Sequence, residues 1–320
     1  MKPPFTITSS ILSLVASISK KLGTIETAQF QQPSVQLRRK NQIRTIQATL
    51  AIEGNSMKAE QITAILESKR VLGPAEDILE VRNALHVYSD LASFSPSSLA
   101  PFLKAHHLMM KGLVKDNGKL RTGKVGIAKG SAITHIAPPP ANLKAIMQDL
   151  FTYIKTSEDH ILVKSCVVHY EIEFIHPFSD GNGRMGRLWQ SVLLMEAYPV
   201  FAYLPFETII KGRQSDYYQA LERSDSTGDS APFIHFMLEA IDDSLEELIH
   251  VSKRPVSQEE RLHYFISLHT GGTFSRKDYL NTFKNIAIAT ASRDLKLGVL
   301  KGLFAKTGDK RNTIYVVVKK

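Results

Sequence analysis

Apolar residues recur at steps of three and four along most of this chain, and the two-residue alternation of strands is confined to short stretches. Leu12, Val15 and Ile18 mark one helical face, which Ser9 or Ser10 can cap. Leu37, Ile43, Ile46 and Leu50 mark a second, with Ser34 as its cap and Gly54 as the residue that ends it. Asp77 to Leu91 continues as helix until SFSPSS (93–98) interrupts it, and Ser95-Pro96 suits the N-cap and N1 of a helix through Leu99, Leu103 and Leu108. Glycines, alternation and a proline run then break the periodicity over 118–140, which predicts a β-hairpin-like flap. Helical spacing returns from His160 to Phe174 and again, from about Gly183, at Met185, Leu188, Trp189, Val192 and Leu193. Tyr217 and Tyr218 lie on a later helical run, and an acidic helix spans Glu239 to Leu248.

The pattern changes once more near residue 255. Helices are expected at Glu259–Leu268, at Arg276–Phe283 behind a Ser275 cap, and at Thr290–Leu297, followed by two short strands around TGDKRN. That order describes a winged helix. The expected fold is therefore mainly α, with a small β-hairpin flap and a C-terminal winged helix. Three regions follow: 1–95 and 96–250, both helical, and 255–320.

Composition narrows the class. With 320 residues, 43% hydrophobic and 22% charged, the chain can bury a substantial core. Its first apolar run is too short for a membrane span, and no small-residue cleavage site follows a basic start, so no membrane partner is expected. A single cysteine, Cys166, excludes an intrachain disulfide framework and fits a reducing compartment, of which the cytoplasm is the simplest; its helical setting marks it as a core residue. Residues 255–320 hold 12 Lys and Arg against 5 Asp and Glu, a net of +7 out of +9 for the whole chain, which leaves the rest nearly neutral.

The candidate chemistry is concentrated in His176–Arg187, HPFSDGNGRMGR. Gly181, Asn182 and Gly183 can turn their N–H groups toward one point at the start of a helix, where the macrodipole favours an anion. Arg184 and Arg187 are three apart and can clamp successive phosphates. Asp180 offers a hard oxygen ligand suited to magnesium held mostly by phosphates and water. His176 is the side chain of this segment suited to taking a proton near neutrality. Gly181, Gly183 and Gly186 also spell the dinucleotide fingerprint GxGxxG, but a helix precedes them where that fingerprint needs a strand. A metal pair of His176 and Asp180 lacks further ligands at suitable spacing.

HPFSDGNGRMGR resembles the signature of the Fic family, H-x-F-x-[DE]-G-N-G-R-x-x-R, at every fixed position, and HYEIEFIHPF and PVFAYLPFETIIKGRQSDYYQAL are similar to Fic sequence around it. The resemblance implies transfer of AMP from ATP to a protein hydroxyl. His176 would be the base and Asp180 the magnesium ligand; Gly181, Asn182 and Gly183 would bind the α-phosphate, Arg184 and Arg187 the outer phosphates, and Phe178 would anchor the loop. Thr49 to Gly54 (TLAIEG) resembles the inhibitory motif [ST]-x-x-x-E-[GN] found in Fic proteins, with Glu53 pairing Arg187. In some relatives the same glutamate is thought to position water for removing AMP. The flap would cover ATP near Gly130, Ser131, Ala132 and Ile133 and pair its edge with the target protein. Tyr217 is a candidate for the nucleobase pocket. Asp225 stands near it where relatives often carry Asn, which leaves the choice between ATP and another nucleotide open.

The C-terminal region has two readings of even weight. Thr290, Ser292 and Arg293 suit the exposed face of a recognition helix, with Lys310 and Arg311 at the wing tip, which fits DNA; small winged domains also bind protein or dimerise. Two function classes follow: a protein adenylyltransferase, or a DNA-binding regulator that keeps the Fic fold as a nucleotide sensor. A sensor has no use for a base, so His176 favours the enzyme. The oligomeric state is open between a monomer and a homodimer.

Overall fold

A computed structural model describes residues 2–27, 35–129, 132–253, 257–269, 271–283, 286–309 and 313–318. Ser34, Gly130, Ser131, Lys310 and Arg311, singled out from the sequence, lie outside these. The fold is mainly α, with a small β-hairpin. The chain divides into two compact units, Met1–Phe30 with Arg38–His250, and Gln31–Leu37 with Val251–Lys320.

The first unit is helical apart from one hairpin. Its elements are α1 (Ser9–Thr27), α2 (Val35–Ile52), α3 (Ala59–Leu66), α4 (Ala75–Ser89), α5 (Leu99–Met109), β1 (Gly126–Lys129), β2 (Ala132–Ile136), α6 (Leu143–Thr156), α7 (Ile161–Ile175), α8 (Asn182–Ala197), α9 (Glu207–Gly212), α10 (Gln214–Thr227) and α11 (Ala231–Lys253). One core cluster runs from Ile11 to Leu248, so residues 1–95 share their core with the helices that follow. At its centre α7 packs along α8, and every α8 residue from Arg184 to Leu194 is buried. A helix enclosed on all sides is ordinarily apolar throughout. This one also carries two arginines, Gln190 and Ser191, and what they meet defines the site.

Two helix starts differ from the sequence reading. In α1 the buried residues are Ile11, Ile18 and Leu22 while Leu12 points outward; Thr8, not a serine, accepts from the Ile11 N–H at 3.2 Å. Helix α5 begins behind Ser98, three residues later than Ser95, and buries Phe102, Ala105 and Met109. The Pro96 carbonyl accepts from the Trp189 indole at 3.1 Å, so Pro96 serves α8 instead of starting a helix. The end of α2 agrees with expectation. Gly54 is left-handed at φ 98°, with Gly54 N–H donating to Ala51 O (3.3 Å) and Asn55 N–H to Leu50 O (3.1 Å). This bond pair is a Schellman motif, and it places Glu53 on the last turn with its side chain turned to α8.

β1 and β2 pair antiparallel, Gly126 opposite Ile136 and Lys129 opposite Ala132, with a bulge between Ile127 and Ala128.

The second unit orders α12 (Gln258–Leu268), β3 (Thr273–Phe274), α13 (Arg276–Thr282), α14 (Ile288–Leu300), β4 (Phe304–Thr307) and β5 (Ile314–Val317). Its sheet runs β3-β5-β4, both pairs antiparallel. Ser257 and Ser275 close capping boxes with Glu260 and Asp278. Leu262, Phe265, Phe274, Tyr279, Leu295 and Phe304 form a separate core. Beside it, buried Asp294 accepts two bonds from Arg261 (2.6 and 2.9 Å) and one from the Tyr279 hydroxyl (3.1 Å). The short β3 was not anticipated, because two residues are too few to show alternation.

Candidate active site

The segment His176–Arg187 is the turn from α7 into α8. His176 ends α7 in the left-handed conformation, φ 50° and ψ 59°. For a residue with a Cβ this costs about 1–2 kcal/mol, so its surroundings must hold it there. Phe178 is fully buried and stacks on the His106 ring at 3.5 Å between centroids. Burying a phenyl ring contributes about 1.5–3 kcal/mol and fixes where the loop enters the core. His106 is part of the same fastening. Its Nδ1 accepts from the Gly118 N–H at 2.8 Å, so its Nε2 carries the proton and donates to the Asp180 carbonyl at 3.0 Å. Burial pushes this imidazole down to about 4, which keeps it neutral.

Asn182 closes the loop. Its side chain accepts from the Phe178 N–H at 2.9 Å and donates to the Phe178 carbonyl at 3.0 Å. The Gly181 N–H donates to the Asp180 carboxylate at 2.6 Å. Asn182 and Gly183 are the first two residues of α8, where backbone N–H groups have no intrahelical acceptor. The donors that α8 offers an anion are therefore main-chain groups.

Both arginines meet carboxylates. Arg184 pairs with Glu80 from α4, and with Asp180 at 3.1 Å. Arg187, fully buried, donates through Nε to Thr49 Oγ1 at 2.8 Å and through Nη2 to the Thr49 carbonyl at 3.1 Å and Glu53 Oε1 at 2.6 Å. The sequence-based partner of Arg187 is thus in contact with it. Glu53 also lies over the start of α8: a Cβ on Gly183 would stand 2.6 Å from Glu53 Oε1 and 3.1 Å from Arg187 Nη1. Only glycine leaves room for the carboxylate there. Arg187 Nη1 and Arg184 Nε are buried without a hydrogen-bond partner among the described residues. An unmatched buried donor is costly, and in this place a phosphate oxygen would satisfy it.

Three groups around Arg187 are helical positions or unmarked residues in the sequence, with no role legible there. Glu173, on α7, lies 3.1 Å from the same Gly183 Cβ position and accepts from the Tyr217 hydroxyl at 2.9 Å. Burial raises it to about 7 against the pull of Arg187. His169, one turn earlier, contacts Tyr217 (3.1 Å) and Gln190 (2.7 Å) and is driven down to about 3 by burial. Glu207, fully buried at the start of α9, faces Thr45 (3.3 Å) and Ser191 (3.5 Å), and burial raises it to about 7. Thr45, Thr49 and Glu53 recur every four residues on α2, so one stripe of that helix meets Glu207 and Arg187. That spacing was visible in the sequence. What it faced was not.

Both residues expected at the nucleobase carry hydrogen bonds within the unit. Tyr217 is buried, at 1% exposure, with its hydroxyl committed to Glu173 and His169; the open ring on α10 is Tyr218, 44% exposed. The aromatic pair could be read from the sequence, but not which ring faces inward. Asp225 accepts from the Tyr170 hydroxyl at 2.8 Å. Of the four flap residues, Ala132 and Ile133 lie in β2, and Gly130 and Ser131 are outside the described residues. For the implied magnesium, Asp180 is the fitting donor: its side chain is half exposed beside Arg184. No cluster of three or more metal-ligating side chains occurs among the described residues, which suits a cation held chiefly by phosphates and water.

The helical fold thus brings together a helix N-terminus, two buried arginines and a histidine on the preceding turn. The Fic/DOC family pattern matches residues 96–194. A Fic family protein from Desulfovibrio desulfuricans G20 superposes with a TM-score of 0.77 at 40% identity, over 100% of this chain and 99% of that one. The chain belongs to the Fic family. Protein adenylyltransferase fic-1 of Caenorhabditis briggsae is 30% identical over 219 residues, which are 64% of this chain and 41% of the relative. Protein adenylyltransferase Fic of Drosophila ananassae is 28% identical over 208 residues, or 62% and 40%. The chain thus spans well under half the length of these curated relatives. Fic-1 of C. elegans shares the fold, with a TM-score of 0.62 at 20% identity. No helix among the described residues is long and apolar enough to cross a membrane.

Proposed function

We propose that this chain is a protein adenylyltransferase that moves AMP from ATP to a hydroxyl side chain of a protein and is restrained by Glu53. The observation that carries the reading is the buried Arg187, its Nη1 unpartnered among the described residues, beside the backbone donors at the start of α8 that follow His176. In the reaction the acceptor oxygen bonds to the α-phosphorus, the bond from that phosphorus to the bridging oxygen breaks, and pyrophosphate leaves. His176 takes the hydroxyl proton as the new bond forms. The N–H groups of Asn182 and Gly183 hold the α-phosphate; Arg184 and Arg187 hold the outer phosphates. Asp180 would hold magnesium, whose charge offsets that on the leaving phosphates.

Restraint follows from the occupied arginine. With Nη2 held by Glu53, Arg187 has only Nη1 left for a phosphate and cannot clamp a γ-phosphate through both nitrogens, and Glu53 lies where Gly183 leaves space for an anion. The flap, 118–140, docks an extended segment of the target by adding a strand. Removal of AMP with water positioned by Glu53 is a second activity of the same site. We read the C-terminal unit as a winged helix, with Arg293 exposed on α14. Its net charge favours a polyanion, and salt dependence separates DNA from protein as its partner.

Labelled ATP added to cell lysate with wild type, Glu53→Gly and His176→Ala tests the assignment. Labelled protein bands are expected with Glu53→Gly and absent with His176→Ala. No band with Glu53→Gly, or equal bands with His176→Ala, would overturn it.

A further inference from the structure

Arg121, between α5 and β1, is a buried cation with no carboxylate among its side-chain hydrogen-bond partners in the described residues. It is 3% exposed, and its side-chain hydrogen bonds among the described residues all go to main-chain carbonyls. Those carbonyls belong to three segments. Nη1 donates to Gly123 (2.7 Å), where the chain enters the flap, and Nη2 to Pro138 (2.7 Å), where it leaves. Nε donates to His176 (2.6 Å), and Nη2 also to Ile175 (3.3 Å). The Arg121 N–H adds a bond to the Pro177 carbonyl at 2.9 Å, and Ala137 N–H to Val125 O (3.3 Å) closes the hairpin root.

We infer that Arg121 is a positioning residue that registers the flap against His176. The inference rests on the reading of His176 as the base and of the flap as the surface that meets the target. Its physical content is geometric. Left-handed backbone at His176 needs an external hold, and its carbonyl accepts from Arg121 Nε at 2.6 Å. A planar guanidinium has five N–H donors in a rigid fork, so it can join three segments at fixed angles. Lysine keeps the charge but has one nitrogen, which cannot reach all three. Burial lowers the Arg121 pKa, and among the described residues no carboxylate opposes that shift. Arg121 is 3% exposed, so an anion bound at the start of α8 has little access to its donors. The acceptor hydroxyl is brought by the flap and the proton is taken by His176, so their mutual placement decides transfer, while nucleotide binding depends on α8.

The test uses the full chain as wild type, Arg121→Lys and Arg121→Ala, each also carrying Glu53→Gly. Hydrogen–deuterium exchange is followed at the flap root (123–125 and 137) and at the motif turn (176 and 178), with affinity for a non-hydrolysable fluorescent ATP analogue and AMP transfer measured alongside. In Arg121→Lys, protection should fall at both segments together by about tenfold or more. Analogue affinity should stay within about threefold, while turnover drops on the order of a hundredfold, as for reacting groups misplaced by about an ångström. Should Arg121→Ala fail to fold, the Lys variant carries the test. Protection lost at the flap root with the motif turn unchanged overturns the inference, as does unaltered protection at both. So does exchange rising across the whole unit with analogue affinity lost, which would make Arg121 a general core residue. If the unsubstituted site transfers no AMP, the functional reading fails, and the exchange results still decide the role of Arg121.

Discussion

The site is bounded on one side by α2 and on the other by the flap root, and a buried arginine makes each attachment by different chemistry. Arg187 meets α2 through a carboxylate, a hydroxyl and one carbonyl. Arg121 meets the flap and motif turn through carbonyls alone. A phosphate can replace a carboxylate on a guanidinium, because both present oxygens to the same fork. The carbonyls on Arg121 are main-chain groups of the same unit, and they leave it only if the chain itself moves. On the proposed function the α2 contact is displaced by nucleotide while the flap contact stays. Both are buried cations, and only the kind of acceptor separates them.

The largest expected effect lies at neither arginine. His176→Ala should cut AMP transfer by about a hundredfold to ten-thousandfold, the usual loss for a general base, with nucleotide binding retained. Turnover near wild type would remove the histidine from the mechanism. Arg187→Ala comes next: it breaks the Glu53 pair yet should still lower transfer below that of Glu53→Gly, by about tenfold or more, since a charge-assisted clamp contributes roughly 1.5–3 kcal/mol. An Arg187→Ala enzyme as fast as Glu53→Gly would show that the arginine serves only restraint.

A third prediction concerns pH and the α2 seam. Burial holds the Glu207 carboxyl near 7, above its ordinary 4.5. Between those values the folded protein keeps a proton that the unfolded chain has released. The stabilisation is therefore full below about pH 4.5 and is lost as pH rises through 7, for a loss of about 3 kcal/mol. Glu207→Gln should be close to wild type in unfolding free energy at pH 5 and more stable at pH 8. Equal differences at the two pH values would contradict a protonated Glu207. The smallest effect is expected in the C-terminal unit. If it binds DNA, removing Lys310 and Arg311 should flatten the salt dependence of affinity by up to about two units of slope, as filter binding or anisotropy would record. No binding at low salt would assign this unit to a protein partner.

What could be read in the sequence follows the same division. The segment from His176 to Arg187 and the Thr49–Gly54 helix end are local: residue type and spacing specify turn, helix start and cap. Gly54 was assigned to the helix end before any contact was known, and Glu53 then followed from the motif. Groups defined by distant partners left no trace. Arg121 looks like any flap lysine or arginine until carbonyls from residues 123, 138 and 176 surround it. Glu173, Glu207 and His169 acquire their character from burial against Arg187, Tyr217 and Gln190, which no spacing records. Tyr217 shows the same limit: its place on a helix is local, while its burial and its hydroxyl contacts with Glu173 and His169 are tertiary.

The central claim is that Glu53 occupies the place on Arg187 that a phosphate must take. The most direct measurement is the equilibrium affinity of a non-hydrolysable ATP analogue, together with AMP incorporation, for wild type, Glu53→Gly and Glu53→Gly/Arg187→Ala. If the pair biases the closed state by about 3 kcal/mol, the productive fraction is about a hundredfold below its maximum. Glu53→Gly should then raise incorporation by roughly that factor, and the double variant should lose the gain. Equal affinity and equal incorporation for wild type and Glu53→Gly would contradict the claim and leave Thr49–Gly54 as no more than the end of a helix.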